Sequence, residues 1–288
     1  PLRRLIPVGL PAVAAAAIIV LGANATRLDY FESYVTHPMT GYWLEANNTA
    51  LAAQITSDLG AGRAVRLDAR LANDNPALRF LVPDLAKAQI VDESNRGAAA
   101  GERTALIVDP NHGLGSWTLT VPQSQTRVVE GPLAQNDLDT TPRRSFVAFL
   151  SDPMPLGERS TVALFDNGVE LLSAEARVGQ GPEAAVIVSM TWRAAAPLAT
   201  DEAVFVHWIR GGGVIAQSDA SPGLGYFAMP AWRIGDSVID VRTLRAWRGW
   251  EPGDELRLGV YRRSDLRRAS IVGGPDAGTT YFSIMAGR

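Results

Sequence analysis

Between Thr191 and Asp240 the chain repeats one pattern, short runs with apolar residues at every second position, broken by glycine and proline. Thr191–Ala194 reads TWRA, Val204–Trp208 reads VFVHW, and Val214–Asp219 reads VIAQSD after the glycine turn Gly211–Gly213. The loop Ala220–Pro230 leads to WRIGD at Trp232–Asp236 and VID at Val238–Asp240. Such runs predict antiparallel strands joined by hairpins. In VFVHW, Val204, Val206 and Trp208 share one face, while Phe205 and His207 share the other. Neither face is polar throughout, so this strand is expected to be covered on both sides, at the centre of a β-sandwich.

The same reading extends over 145–288. Strands are expected at Phe146–Leu150, Thr161–Phe165, Val169–Arg177 and Ala184–Arg193, then at Ser237–Leu244, Glu255–Tyr261 and Tyr281–Ile284. Asp166-Asn167-Gly168 predicts a tight hairpin, and Pro252-Gly253-Asp254 introduces the alternating Leu256, Leu258 and Val260. Upstream, 26–131 alternates helix and strand. A helix is expected over Gly41–Leu59 from the spacing of Leu44, Asn48, Leu51, Ile55 and Leu59. A shorter one is expected over Ala77–Val82 after Asn75-Pro76. Strands are expected at Arg63–Ala69, Gln89–Val91, Thr104–Val108 and Arg127–Val129, which together predict a small α/β unit with a partly parallel sheet. Its glycine clusters, Gly97–Gly101 and Gly113–Gly115, open no evident helix, and a G-x-G-x-x-G turn is missing, so no dinucleotide cofactor is expected. The polar, proline-bearing stretch 132–144 is read as the linker between the two units.

The amino terminus sets the setting. From Leu5 to Ala23 there is no charged residue, close to the length of a bilayer-spanning helix. Arg3 and Arg4 precede the run, so the positive-inside rule puts the amino end in the cytoplasm and the rest outside the inner membrane, periplasmic or extracellular. Tyr30, Phe31 and Tyr34 follow at the position of an interfacial aromatic belt. Ala14–Ala17 form a small-residue face suited to contact with other membrane helices. A secretory signal is the rival reading, with Ala23-Asn24-Ala25 as a small-x-small site; length and flanks favour the retained anchor, 1–25. The chain begins with proline, which suggests a processed product or a fragment of a longer protein.

No cysteine occurs, which excludes disulfides, thiolate metal sites and cysteine nucleophiles. A net charge of -3 gives no basic surface for nucleic acid.

The run WRA…VFVHW…VIAQSDASP…WRIGDSVID…PGDELRLGVY resembles the extracytoplasmic β-sandwich at the carboxy end of bacterial polytopic membrane glycosyltransferases, the lipid-linked-sugar enzymes related to protein O-mannosyltransferases and aminoarabinose transferases. RAVRLDAR (Arg63–Arg70), NPALRFLVP (Asn75–Pro83) and VVEGPLA (Val128–Ala134) are similar to the segment before it, so the resemblance covers nearly the whole chain. It implies a last membrane helix followed by an outward-facing tail. In that family the catalytic acid sits in a many-helix membrane domain, which one span does not build, so no catalytic residue carries over.

Three groups of residues are candidates for a site. Asp219, Asp236 and Asp240 are carboxylates that could hold a calcium ion, although their spacing matches no calcium loop and Gly235-Asp236 is equally good turn chemistry. Among the tryptophans, Trp192 and Trp208 are expected in the core. Trp247 and Trp250, flanking Arg248-Gly249 in a loop, and Trp232 are the candidates to contact a ligand or partner. His207 is expected as a hydrogen-bonded strand histidine, far in sequence from His37 and His112. Glu170 and Glu175 are carboxylates without evidence of a cleft. No cofactor and no activity of the isolated chain are expected. The sequence points to a single-pass, membrane-anchored binding or accessory subunit, with the bilayer, other membrane proteins and carbohydrate or lipid-linked sugar as partners. The alternative is the detached carboxy-terminal portion of such a glycosyltransferase.

Overall fold

The computed structural model describes residues 9–34, 37–92, 94–95, 103–121, 124–153, 161–179, 185–198 and 200–284. Helix α1 (Gly9–Arg27) carries no charge before Arg27 and continues as wider π-type turns over Leu28–Tyr34. It is long and apolar enough to cross a membrane, and none of Val13–Tyr34 is buried against the rest of the fold. Arg3, Arg4 and the start of the apolar run lie outside the described residues.

The expected helix over Gly41–Leu59 is two helices, α2 (Pro38–Trp43) and α3 (Ala46–Gly60). The break falls at Glu45, whose backbone is left-handed (φ 56°) and whose carboxylate takes a hydrogen bond from Asn48. Beyond the break the periodicity holds, because α3 buries Asn48, Leu51, Ala52 and Ile55. The chain then forms β1 (Ala64–Asp68), α4 (Ala69–Asp74), α5 (Leu78–Leu81), β2 (Gln89–Val91), β3 (Thr104–Val108), α6 (Leu114–Thr118) and β4 (Gln125–Glu130). Gly113 caps α6 with a left-handed backbone (φ 64°), so the second glycine cluster does open a helix, though one of only five residues.

Two-residue strands β5 (Leu133–Ala134) and β6 (Arg143–Arg144) pair inside the expected linker. Then come β7 (Val147–Asp152), β8 (Ala163–Phe165), β9 (Val169–Val178), β10 (Val186–Ala194), β11 (Glu202–Arg210) and β12 (Gly213–Ala220). The last four strands are β13 (Ser237–Leu244), β14 (Glu255–Arg262), β15 (Ile271–Gly273) and β16 (Phe282–Ile284). Ten of these strands form one sheet in the order β15-β8-β9-β10-β13-β4-β7-β3-β1-β2, and four form a second in the order β12-β11-β14-β16. Parallel pairs occur between β1 and β2, β1 and β3, and β13 and β4; the other pairs are antiparallel. The fold is therefore mixed α/β with a large, mostly antiparallel sheet.

The stretch 132–144 does not divide the sheet into two. Strand β7, which follows it, lies between β3 and β4, which precede it. Strand β4 in turn hydrogen-bonds to β13, more than a hundred residues later. Two buried clusters lie on the faces of this sheet. One joins Val188, Met190, Trp192 and Val238 of the large sheet to Val204, Val206, Trp208, Leu256, Leu258 and Val260 of the small one. The other seats Leu51, Ile55, Leu71 and Leu78 of the helices on Val65, Leu67, Ala105, Ile107, Ala148 and Leu150. Burying each Leu or Ile side chain contributes about 1.5–3 kcal/mol, and the alternation along β3 and β7 supplies both clusters at once.

The sequence expected cover on both faces of β11. Its inner face is in the larger cluster, and on the other face Phe205 is only 1% exposed. The Phe205 ring lies where a Cβ at position 259 would be, so Gly259 leaves it room, and the Arg268 guanidinium stacks over it at 4.6 Å. Side chains, not a further layer, provide that cover.

Candidate functional site

The surface most unlike an ordinary protein exterior is the collar where α1 leaves its apolar stretch. Tyr30, Phe31 and Tyr34 are all more than half exposed. Tyr30 stacks on Tyr34 at 5.7 Å and meets Phe31 edge-on at 5.1 Å. The next turn is built by His37 and Pro38. The His37 Nδ1 accepts a hydrogen bond from the Met39 N–H (3.3 Å), and Pro38 sits where a helix does not need its N–H. Helix α2 then presents Tyr42 and Trp43, with Trp43 61% exposed. Between the two aromatic groups lies a mostly apolar cavity of about 580 Å³ lined by Asp29, Ser33, Tyr34, His37, Met39 and Trp43. Tyrosine and tryptophan have an apolar body and a polar tip, which suits a boundary between lipid and water. Sequence reasoning placed Tyr30, Phe31 and Tyr34 here and missed Tyr42 and Trp43; the HP turn before GYW is the signal that pointed to them.

The tryptophans divide differently from expectation. Trp247 is 78% exposed, with the Arg248 guanidinium 4.3 Å from its ring. Trp250 is half-buried and stacks on Trp208 at 5.4 Å, so it borders the core. Trp232 is corrected to a core residue. It is 4% exposed, and its indole N–H donates to the Phe227 carbonyl at 3.1 Å. The turn that follows is responsible. Asp236 accepts from the Arg233 N–H at 2.8 Å, Gly235 takes φ 90°, and the ring folds back onto Phe227.

Trp208 is fully buried and donates its indole N–H to Asp254 at 2.9 Å. Arg210 grips both oxygens of the same carboxylate at 2.8 and 2.6 Å and also reaches Glu251 and the Gly249 carbonyl. Hydrogen bonds from Arg210, above all, hold the Asp254 carboxyl below the usual carboxylate range. Every group in this clamp has a partner, so it fixes structure and leaves no reactive atom.

The three candidate metal ligands do not converge. Asp219 faces His207 (3.2 Å) on the small sheet, Asp236 caps its own turn, and the fully buried Asp240 pairs with Arg242 at 2.8 Å on the large sheet. Among the described residues no three His, Asp or Glu side chains come together as a metal site. Glu170 is held by Arg193 at 2.5 Å.

A second cavity, of about 310 Å³, was not anticipated. It lies at the carboxyl ends of the parallel strands and is lined by Asp68, Arg70, Asp92, Ser94 and Trp117. Strand order β3-β1-β2 makes the ends of β1 and β3 a switch point, with α4 on one face through Leu71 and α6 on the other through Trp117. The signal was legible, since each of the three strands runs directly into an aspartate: VRLD, QIVD and LIVD. Yet each carboxylate is taken up by backbone or side-chain groups at the strand ends. Asp68 accepts from the Arg70 and Asp109 N–H groups, Asp92 from Ser94 and Asn95, and Asp109 from Asn111 while pairing with His112 at 2.5 Å. These acids hold the ends of the strands in place. Neither a protein-family model nor a curated protein matches the chain.

Proposed function

We propose that this chain is a single-pass, membrane-anchored extracytoplasmic binding or accessory subunit of a larger membrane assembly, its two sheets forming a β-sandwich. One observation carries the reading: a helix uncharged from Gly9 to Thr26, with nothing among the described residues to cover it, leads into an exposed aromatic collar. Inside a bilayer those side chains would be solvated by lipid, and the Ala14–Ala17 face would let a second helix approach closely. Arg3 and Arg4 favour a cytoplasmic amino end. The exposed ring of Trp247 is the surface aromatic offered to a partner or a carbohydrate.

The absence of cysteine makes the test direct. A single cysteine introduced at exposed Ser264 in the full-length chain is expected to react with a membrane-impermeant maleimide in intact spheroplasts, and the protein to stay in the membrane pellet after alkaline carbonate. Labelling only after permeabilisation would reverse the orientation, and release by carbonate would remove the anchor.

A second reading is the carboxy-terminal extracytoplasmic portion of a lipid-linked-sugar glycosyltransferase, aiding acceptor or donor binding. What favours it is the run of motifs resembling that family, which falls on β10, β11, β12, β13 and β14 without interruption by another strand. Immunoblotting of native membranes separates the two: a band at 30.8 kDa supports the subunit, and a much heavier one the glycosyltransferase.

A further inference from the structure

The turn after β14 reads RRSDLRR and places four arginines within Arg262–Arg268. It is a hydrogen-bonded hairpin. The Arg262 N–H donates to the Arg267 carbonyl and the Leu266 N–H to the Arg262 carbonyl, both at 2.9 Å, while Asp265 accepts from the Arg267 N–H at 3.1 Å. Leu266 sits at its tip with a left-handed backbone (φ 58°). Arg263 turns away to Asp201 and Ser221. The other three, Arg262, Arg267 and Arg268, line a cavity of about 210 Å³ together with Asp166, Asn167 and Glu202.

The acidic and basic lining residues differ in how far they are satisfied. Glu202, 5% exposed, already accepts hydrogen bonds from Asn167 and from the Thr200 hydroxyl. Arg262 gives one arm to Asp265 at 3.2 Å, but its buried Nε–H has no hydrogen-bond partner. Among the described residues neither the Arg267 nor the Arg268 guanidinium has a carboxylate partner, and Arg268 rests on the Phe205 ring. Guanidiniums lining one cavity can match the oxygens of a phosphate in paired geometry. The Asp166 carboxylate disfavours a bare dianion and accepts from hydroxyl groups. At about 210 Å³ the space admits more than a phosphate alone.

We infer that the cavity between the Asp166–Asn167 turn and the Arg262–Arg268 hairpin binds the phosphate ester of a polyol, with the arginines on the phosphate and Asp166 on the hydroxyls. Such a group comes either from a soluble sugar or glycerol phosphate or from a phospholipid head group. The site shares no residue with the aromatic collar and stands independently of what α1 does.

The test titrates the full-length chain, in nanodiscs of phosphatidylcholine, with glycerol 3-phosphate by calorimetry. Binding is expected that weakens with added salt, with no heat from glycerol. Arg267→Gln, an exposed residue whose loss leaves folding intact, is expected to weaken it about tenfold, and Arg267→Gln with Arg268→Gln about a hundredfold. Asp166→Asn is expected to weaken glycerol 3-phosphate while strengthening inorganic phosphate, a reversal that general charge attraction does not produce. Phosphatidylglycerol added to the nanodisc displaces glycerol 3-phosphate if the natural source is a lipid head group and leaves the titration unchanged if it is soluble. No binding by the wild type at about 10 mM ligand, or equal binding by Arg267→Gln, overturns the inference.

Discussion

Arg242 and Arg66 are both buried arginines on strands of the same sheet, 4% and 2% exposed, yet their surroundings are opposite. Arg242 lies between the two sheets. Its Nε and Nη2 bond Asp240 at 2.8–3.1 Å, and the same Nη2 also reaches the Ser221 carbonyl at 2.9 Å. Asp240 also accepts from the Gly223 and Leu224 N–H groups, so the pair ties the loop after β12 to β13. Arg66 sits on β1 at the parallel end with neither Nε nor Nη2 hydrogen-bonded, and burial pushes its pKa down. A buried charge that is fully bonded can join two layers; one that is not adds only its desolvation cost.

The largest effect expected from this contrast is at Asp240. Asp240→Ala leaves Arg242 buried without its counter-charge and frees two loop N–H groups, a loss of about 3–5 kcal/mol in denaturant unfolding of the detergent-solubilised chain. A loss under about 1 kcal/mol would mean that the backbone carbonyls suffice for Arg242 and would erase the difference from Arg66.

An intermediate case is Asp254 beneath Arg210. Its folded pKa is depressed, chiefly by hydrogen bonds from Arg210. Its contribution is therefore complete above the unfolded value of about 3.9 and is lost as the pH falls through the folded value. Asp254→Asn is expected to lower stability near neutrality by about 1.5–3 kcal/mol and to flatten the decline in melting temperature below about pH 4. An unchanged acid slope would show that the clamp contributes nothing through charge.

The smallest effect is expected at Arg66. Arg66→Met keeps the volume and removes the uncompensated charge, so stability should stay within about 1 kcal/mol of the wild type or rise. A loss above about 3 kcal/mol would reveal that Arg66 holds a partner and belongs with Arg242.

What the sequence disclosed, and what it hid, follows from the range of the forces involved. The alternation in VFVHW located β11 and put Trp208 inside, because strand period and side-chain face are local properties. The helix break at Glu45 was hidden, since the apolar spacing on either side runs on as if unbroken. Trp232 looked like a contact residue because only the fold brings Phe227 beneath it. Trp250 stacks on a tryptophan 42 positions earlier, which no local pattern encodes. The aspartates closing β1, β2 and β3 were legible as a repeat. Their roles were not, because a carboxylate's use depends on which N–H groups the loop turns toward it.

The position of β4 has a consequence for how the protein is made. Both its neighbours, β7 and β13, lie further along the chain, so β4 has no strand to pair with when it first appears. Its second neighbour, β13, is complete only when residue 244 has been synthesised. β7 covers one side of β4 once residue 152 is made, but the other side stays an open edge until β13 arrives, the kind of surface that recruits a neighbouring nascent chain. Truncation anywhere before β13 would leave that one side of β4 unpaired, so β13 completes an edge that the amino-terminal half cannot cover by itself.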